Sequence, residues 1–545
     1  MEELLSTLSN TEIARILQGI QALKESGTAA AARQPVAVVG LGCRFPAGIE
    51  TPAALWDAVQ AGHCAVRELP ASRRRTPATT DAAPSSCPAK GGFLDEVARF
   101  DPLFFGISPR EASEIDPQHR LLLEVVWEAI EDSNIPLRTL RGLRTGVFCA
   151  IGSDDYLQLT VNPQRAGKLN EYSGLGTSRS VGVGRISYLL GFSGPSVHVD
   201  TTCSSSLVAV HLAAQSLLAG ECDIAIVAGV NLVLSPLNGL SRAGLSALSR
   251  KGACRAFDDA ADGFVQGEGC GAVVLRRLDA ALTAQDRIAA ILRGSGIAHN
   301  AGGNGLTAPN GAAQEALLRT VLSQSGLDAA DIGYIEAHGT GTRLGDPIEA
   351  EAIGAVYCAG RSVDQPLFVG SSKANFGHLE AAAGILSFIK TVLALQRAVI
   401  PRQIHFERPN SHIPWDRMAL QVNVTTDRAW PGHYAKRYAA VSSFGINGSN
   451  AHALLEQGPE VVPYEPADSP QGEQEARLLP LSAKDEASLR AQARQYAALL
   501  RTNTASLRDI CYTAATRREH FRWRLAAVGQ SRRQLAEALD AIADG

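Results

Sequence analysis

Little in this 545-residue chain marks it for nucleic acid, membrane or metal. Its net charge is −4, its pI is about 6.3, and no Lys/Arg block of the kind that tracks a phosphate backbone interrupts it. No nucleic-acid partner is therefore expected. Arg73-Arg-Arg75 is a short basic cluster and reads as a solvated loop. No apolar run approaches the ~20 residues that cross a membrane. The first residues, Met1-Glu-Glu-Leu-Leu5, lack the basic start and apolar centre of a signal peptide. Ten cysteines are scattered without one CxxC pair, so no zinc site is expected. These absences predict a cytoplasmic protein with free thiols, no metal and no tightly bound cofactor.

What remains is ordinary globular material: 45% hydrophobic and 19% charged residues, enough for a substantial core. Three segments separate. In residues 1–34, Ser9-Asn-Thr-Glu12 fits a capping box, and Ile13, Ile16, Leu17, Ile20 and Leu23 follow at helical spacing. A short helix with one apolar stripe needs a partner, and Gly27 to Gln34 reads as a linker. Residues 35–457 alternate strand and helix patterns, which predicts layered α/β architecture. Strand candidates include Val36–Val39, Gly146–Ala150, Asp223–Ala228, Cys270–Leu275, Tyr334–Ala337 and Leu367–Gly370; Leu121–Ile130 reads as a helix. No internal repeat is visible. Residues 458–545 begin with a Pro- and Glu-rich tether, Pro459 to Gln474. A small α/β appendage follows, with strands at 478–482 and 523–528 and helices at 487–501 and 531–542.

The richest stretch is Asp200-Thr-Thr-Cys203-Ser-Ser-Ser206, between an apolar run at 196–199 and a helical pattern at 207–218. A cysteine at a strand-to-helix turn sits where backbone N–H groups and the helix dipole stabilise both a thiolate and a developing oxyanion. Glu336-Ala-His338-Gly-Thr340-Gly-Thr342, running on to Leu344-Gly-Asp346-Pro-Ile-Glu349, puts an imidazole just after a strand. Ligand sites of open α/β sheets gather at such ends. Lys373-Ala-Asn375-Phe-Gly377-His378 does so again, before an Ala/Gly-rich helix. Ser443-Phe444-Gly445-Ile446-Asn447-Gly448 is a turn able to aim a backbone N–H at an oxyanion, and Gly263-Phe264-Val-Gln-Gly-Glu-Gly269 is a further turn into a buried strand. Singly each motif has a structural explanation. Together, one cysteine and two histidines suit thioester chemistry, with the thiol holding an acyl group and two neutral imidazoles donating to a carbonyl that becomes an enolate.

These residues resemble the β-ketoacyl synthase domain of modular type I polyketide synthases, over roughly residues 35–457. Gly40-Leu-Gly-Cys-Arg-Phe-Pro46, Phe104-Phe-Gly-Ile-Ser-Pro-Arg-Glu111, Asp116-Pro-Gln-His-Arg120 and Asn304-Gly-Leu-Thr-Ala-Pro-Asn-Gly311 extend the match. Residues 458–545 resemble the linker domain that precedes an acyltransferase, and 1–34 the helical docking segment of such subunits. The resemblance implies a thiolase-like fold of two related halves in αβαβα layers, forming a homodimer. It implies that Cys203 takes an acyl chain from an acyl carrier protein. His338 and His378, supported by Lys373, then promote decarboxylation of a malonyl-type extender on a second carrier protein. It further implies an oxyanion hole from the backbone of Cys203 and Ile446, and contacts to phosphopantetheine or substrate from Thr340, Thr342, Thr202, Phe444 and Asn375. Substrates would arrive on the phosphopantetheine of acyl carrier proteins. An acyltransferase in cis or in trans and an upstream synthase subunit would be partners.

Departures from the family pattern concern specificity. Thr202 stands where alanine is common, Ala374 and Phe376 replace commoner choices, and residues 69–91 differ from the family's aromatic loop. No acyltransferase elbow follows residue 457, so the chain is expected to be an excised piece or to rely on a separate acyltransferase. The rival expectation is a non-elongating ketosynthase that gatekeeps, transacylates or only decarboxylates, acting as a dimeric scaffold. A coenzyme A-dependent thiolase is disfavoured because His378 stands in the decarboxylative pattern in place of a second catalytic cysteine.

Overall fold

The computed structural model describes residues 35–73, 90–161, 169–235, 247–302, 305–426, 428–460 and 475–544. The expected docking segment at 1–34, Arg74 and Arg75, Cys87 and most of the tether lie outside them.

Of the strands and helices among the described residues, the following position the candidate site and the C-terminal unit. The strands are β1 (Val36–Arg44), β2 (Thr145–Ile151), β3 (Ser196–His198), β4 (Ile224–Asn231), β5 (Gly269–Arg277), β6 (Ala290–His299) and β7 (Ile332–Glu336). β8 (Leu367–Gly370), β9 (Leu420–Val422), β10 (Tyr438–Phe444), β11 (Ser449–Gln457), β12 (Arg477–Ala483) and β13 (Trp523–Gly529) follow. The helices are α1 (Pro117–Asp132), α2 (Arg179–Leu190), α3 (Ser205–Leu218), α4 (Gly311–Ser325), α5 (Gly345–Ile353) and α6 (Ala383–Arg397), with α7 (Glu486–Thr502), α8 (Leu507–Thr516) and α9 (Arg532–Asp544) near the C-terminus. Local chemistry sets their ends. Asp116 accepts the N–H of Gln118 and Pro117 starts α1, while Asn310 caps α4 and Gly326, at φ +67°, ends it.

The sheet contains a repeat that no residue pattern disclosed. In the first half β3 pairs with β2 and β2 with β4 in parallel, then β4 with β5 and β5 with β1 antiparallel. In the second, β8 pairs with β7 and β7 with β10 in parallel, then β10 with β11 and β11 with β6 antiparallel. The two series are the same in direction and chain order, and β9 extends the second outside β8. The halves join where Val36–Val38 of β1 meets Leu292–Ala290 of β6. α3 and α6 pack on each other and on strands of both halves, forming a central helical layer. From Ala383 to Leu395 every residue of α6 is buried, as an element enclosed on all sides must be. α1 and α2 cover the outer face of the first half through Leu122, Val126 and Ile186. α4 and α5 cover the second through Leu317, Val321 and Ile353. This is the expected αβαβα layering of two related halves.

The C-terminal unit pairs β12 with β13 and packs α7, α8 and α9 around Leu479, Leu481, Ala493, Leu535 and Leu539. α8 was not expected from the sequence. The unit is seated on the first half. The Phe521 ring lies 5.7 Å from that of Phe104 and 6.1 Å from that of Trp127, and Arg518 donates to Asn134 Oδ1 at 2.9 Å. Lys484 donates to the carbonyl of Phe104.

Candidate active site

The repeat positions the chemistry. β3 leads to Cys203 and then α3; its counterpart β8 leads to Lys373 and His378 and then α6; β7 leads to His338. Among the described residues seven of the nine free cysteines are buried, Cys64 is exposed and Cys203 is half-buried. Burial pushes the Cys149 and Cys254 thiols up to about 12 and Cys358 to about 11, so these are held as thiols.

Cys203 occupies a single 3-10 turn, Thr202–Ser204, ahead of α3. Thr202 has φ +59°, an uncommon conformation for a β-branched residue and a sign of local strain. The turn is tied by the N–H of Thr202 to Asp200 Oδ1 at 3.1 Å, the N–H of Thr201 to Ser205 Oγ at 2.9 Å, and Ser205 Oγ to the carbonyl of Thr202 at 2.6 Å. Against it lies the 445–448 turn. A Cβ on Gly445 would come within 2.4 Å of the Thr201 carbonyl, so only glycine allows this approach. Thr202 Oγ1 lies 3.4 Å from Asn447 Oδ1. Ile446, in the same turn, is 40% exposed.

The end of β10 binds two parts of the site together. Ser443 Oγ donates to the carbonyl of Cys203 at 2.9 Å, and the next residue, Phe444, donates its N–H to Nδ1 of His338 at 3.3 Å. Likewise the N–H of Glu380 donates to Nδ1 of His378 at 3.0 Å. A backbone N–H can only donate, so both Nδ1 atoms are acceptors, and in each neutral imidazole the proton sits on Nε2. The two rings stand edge to face with centroids 5.6 Å apart. Burial, followed by the neighbouring Lys373 ammonium and the His378 ring, holds His338 well below the usual imidazole range and therefore neutral. Burial also lowers Lys373, against Glu336 and Glu349, which raise it.

The turn at 263–269 belongs to this site as well. His378 donates its N–H to Val265 O at 2.7 Å and accepts that of Gly267 at 2.8 Å, and the Phe264 ring meets the His378 ring edge-on at 4.9 Å. The Thr340 and Thr342 hydroxyl oxygens are 3.1 Å apart, and Thr342 Oγ1 accepts the N–H of Gly345. Asn375 is buried beside the lysine; its amide donates to His63 O at 2.9 Å, which ties this segment to residues 63–65.

Two supporting carboxylates lay inside a motif already noted, but their work was not apparent. Glu349 accepts the N–H groups of His338 and Gly339 at 2.7 and 2.8 Å, and Asp346 those of Phe257, Gly341 and Thr342. Burial raises Glu349 to about 7 and Asp346 to about 6. The only available signal was two acids three residues apart at a helix start. Arg73 is a correction: it is not solvated. Its guanidinium pairs with the buried Glu268, donates to Leu94 O at 2.8 Å and lies over the Phe93 ring, because an unpaired buried carboxylate is costly. Downstream, Gly92 approaches Phe376 so closely that a Cβ would stand 1.9 Å from its carbonyl oxygen.

No group of three or more His, Cys, Asp or Glu able to hold a metal occurs among the described residues, and no described helix is long and apolar enough to cross a membrane.

The arrangement can hold an acyl group on sulfur beside two N–H-donating imidazoles. Known proteins resemble this chain over most of its length. The β-ketoacyl synthase N-terminal domain family matches residues 33–281, the β-ketoacyl synthase C-terminal domain family 289–407, and the CurL-like polyketide synthase C-terminal family 477–539. The chain is 46% identical over 519 residues to the spectinabilin polyketide synthase system protein NorA′ of Streptomyces orinoci, covering 94% of this chain and 14% of that protein. It is 43% identical over 520 residues to erythronolide synthase EryA2 of Saccharopolyspora erythraea, again 94% of this chain and 14% of the relative. It thus spans a small part of these curated relatives. Among solved structures, the ketosynthase from module 6 of the bacillaene synthase of Bacillus subtilis 168 superposes with TM-score 0.82 at 36% identity, covering 94% of this chain and 85% of that one. The oxazolomycin ketosynthase domain OzmH KS7 of Streptomyces albus JA3453 does so with TM-score 0.85 at 35% identity, covering 94% and 88%. With its thiolase-like fold and its Cys-His-His geometry, the chain belongs to the β-ketoacyl synthase family, as a ketosynthase domain of the type I polyketide synthases.

Proposed function

We propose that this domain elongates a polyketide chain. An acyl group on the phosphopantetheine of an upstream acyl carrier protein passes to Cys203 Sγ, releasing the carrier thiol. A malonyl-type unit on the carrier protein of the same module then loses carbon dioxide. The enolate attacks the Cys203 thioester, which frees the thiol and leaves a β-ketoacyl thioester on the carrier. Decarboxylation supplies the carbanion without a strong base.

The observation that carries this reading is the matched pair of imidazoles. His338 and His378 each have Nδ1 occupied by a backbone N–H, so each offers Nε2–H to the extender's thioester oxygen as it gains enolate charge. Lys373 is the buried cation whose charge offsets that enolate. The N–H groups of Cys203 and Ile446, on the two turns joined by the Gly445 approach, are assigned to the oxyanion of the attacked thioester. Thr340 and Thr342 are assigned to the phosphopantetheine arm, with Phe444, Asn375 and Thr202 lining the acyl site. The domain acts as a homodimer in the cytoplasm. In support of the dimer, β3 is the last strand of its sheet, with Val197 on it and Tyr188 on the adjoining α2 both exposed. An acyltransferase in cis or in trans and an upstream subunit met by residues 1–34 complete the assembly.

Intact-mass measurement after offering an acyl thioester should show an adduct that Cys203→Ala abolishes; an unmodified wild type refutes the reading. Supplying malonyl-carrier protein should then give a β-ketoacyl product, whereas carbon dioxide without product identifies a non-elongating domain. His338→Ala and His378→Ala should lose decarboxylation far more than acylation.

A further inference from the structure

One ion pair in the core is unused by the proposed reaction. Glu336 ends β7 and Lys390 lies on α6; their side chains are 0% and 1% exposed. Lys390 Nζ donates to Glu336 Oε2 at 2.7 Å, and the Tyr334 hydroxyl donates to the same oxygen at 2.5 Å. The other oxygen, Oε1, accepts the N–H of Ser372 at 2.6 Å and the Ser387 hydroxyl at 3.4 Å. A buried ion pair is poorly explained by stability alone, since apolar side chains of the same shape often serve as well. Its connections suggest a different use. Glu336 stands two residues before His338, Ser372 directly precedes Lys373, and Lys390 and Ser387 belong to the central helix. One carboxylate therefore fastens three elements that build the site.

It also bears on charge. Lys373 is buried, and its charge interacts with Glu336 of β7, Glu349 and Asp346 of α5, the thiols of Cys203 and Cys254, and the His338 imidazole. Of the acidic groups, Glu336 favours the ammonium form of Lys373 most. Lys390 is already paired with that carboxylate, so Glu336 anchors the turn without capturing Lys373 as its counter-ion.

We propose that Glu336 and Lys390 form a charge-balanced positioning pair: the carboxylate anchors the Lys373–His378 segment to the strand that carries His338, and Lys390 keeps it from seizing the Lys373 ammonium. The inference rests on the decarboxylative reading of the site. It assigns each partner an effect of opposite sign, which packing alone does not produce.

The test is the rate of carbon dioxide release from malonyl-carrier protein by the full chain with Cys203 acylated, followed across about pH 6–10. The descending limb reports loss of the Lys373 proton. Glu336→Gln removes the carboxylate and is expected to move that limb down by about one unit, a tenfold loss of rate at a fixed pH on the limb. Lys390→Met strips the carboxylate of its paired ammonium, leaving its charge to act on Lys373, and is expected to move the limb up by a similar amount. Lys390→Arg should keep the wild-type limb. Each variant carries its own sign, so either one that folds decides. Tyr334→Phe, which leaves both charges in place, is expected to move the limb up by less. Displacement of Glu336→Gln and Lys390→Met in the same direction, or lowered rates with no displacement, overturns the pair's role. Absence of carbon dioxide release by the wild type at every pH overturns instead the decarboxylative reading on which it rests.

Discussion

Glu349 holds the loop that carries His338. By accepting the N–H groups of His338 and Gly339 it fixes the backbone from which the imidazole projects. Gln in its place offers one acceptor where the carboxylate offers two and presents an N–H₂ to a donor. Losing one charge-assisted hydrogen bond costs about 1.5–3 kcal/mol, or roughly ten- to a hundredfold in rate at ~1.4 kcal/mol per decade. Glu349→Gln is therefore expected to slow condensation by that factor while Cys203 acylation, read by intact mass, stays within about twofold. At this scale Cys203, His338 and His378 stand out in the sequence as candidates, because a rare side chain directly after a strand is conspicuous without any knowledge of the fold. The sequence did not disclose Glu349, Asp346 or the partner of Arg73. Those roles exist only once a loop has folded back to bring its N–H groups, or a distant carboxylate, into reach.

Between elements, Arg73 and Glu268 act as a clasp. Glu268 also accepts the N–H groups of Leu94 and Val233, so the pair joins four separate stretches of chain. Arg73→Ala leaves a buried carboxylate without its cation and is expected to cost about 3–5 kcal/mol, seen as a lowered midpoint in chemical unfolding; an unchanged midpoint contradicts the clasp. Most strands were legible because enclosed strands read as continuous apolar runs, as β1 and β4 do. α8 was not: it is ten residues long and buries only Ile510, Cys511 and Ala514. The two-fold repeat was hidden for a different reason. It is preserved in pairing direction and chain order, while equivalent positions carry different chemistry, a thiol after β3 and an imidazole after β8.

For the molecule as a whole, buried ionisable groups set the response to pH. His119, whose ring nitrogens have no hydrogen-bond partner, and His452, held between Tyr357 and Ser442, are both lowered by burial to about 3. Between about pH 3 and 6.5 the unfolded chain binds these protons and the folded one does not, so their contribution falls on acidification. Asp116 and Asp346 at about 6 and Glu349 at about 7 act oppositely: raised in the fold, they lose stability as pH rises from about 4 through those values. The two groups offset each other in mild acid, and below about pH 4 the histidine effect is left unopposed by them. His119→Gln is expected to flatten the histidine-driven loss of stability by up to about 1.4 kcal/mol per pH unit between about pH 4 and 6, measured by urea unfolding across the pH series.

Both ends of the chain flanking residues 74–89 are fastened around the candidate site: Arg73 to Glu268, Gly92 to the Gln266 carbonyl and against Phe376. Anchors fixed at both roots make the stretch between them a cassette. Its sequence can drift or be exchanged for that of a relative while the thiol and the imidazoles keep their register.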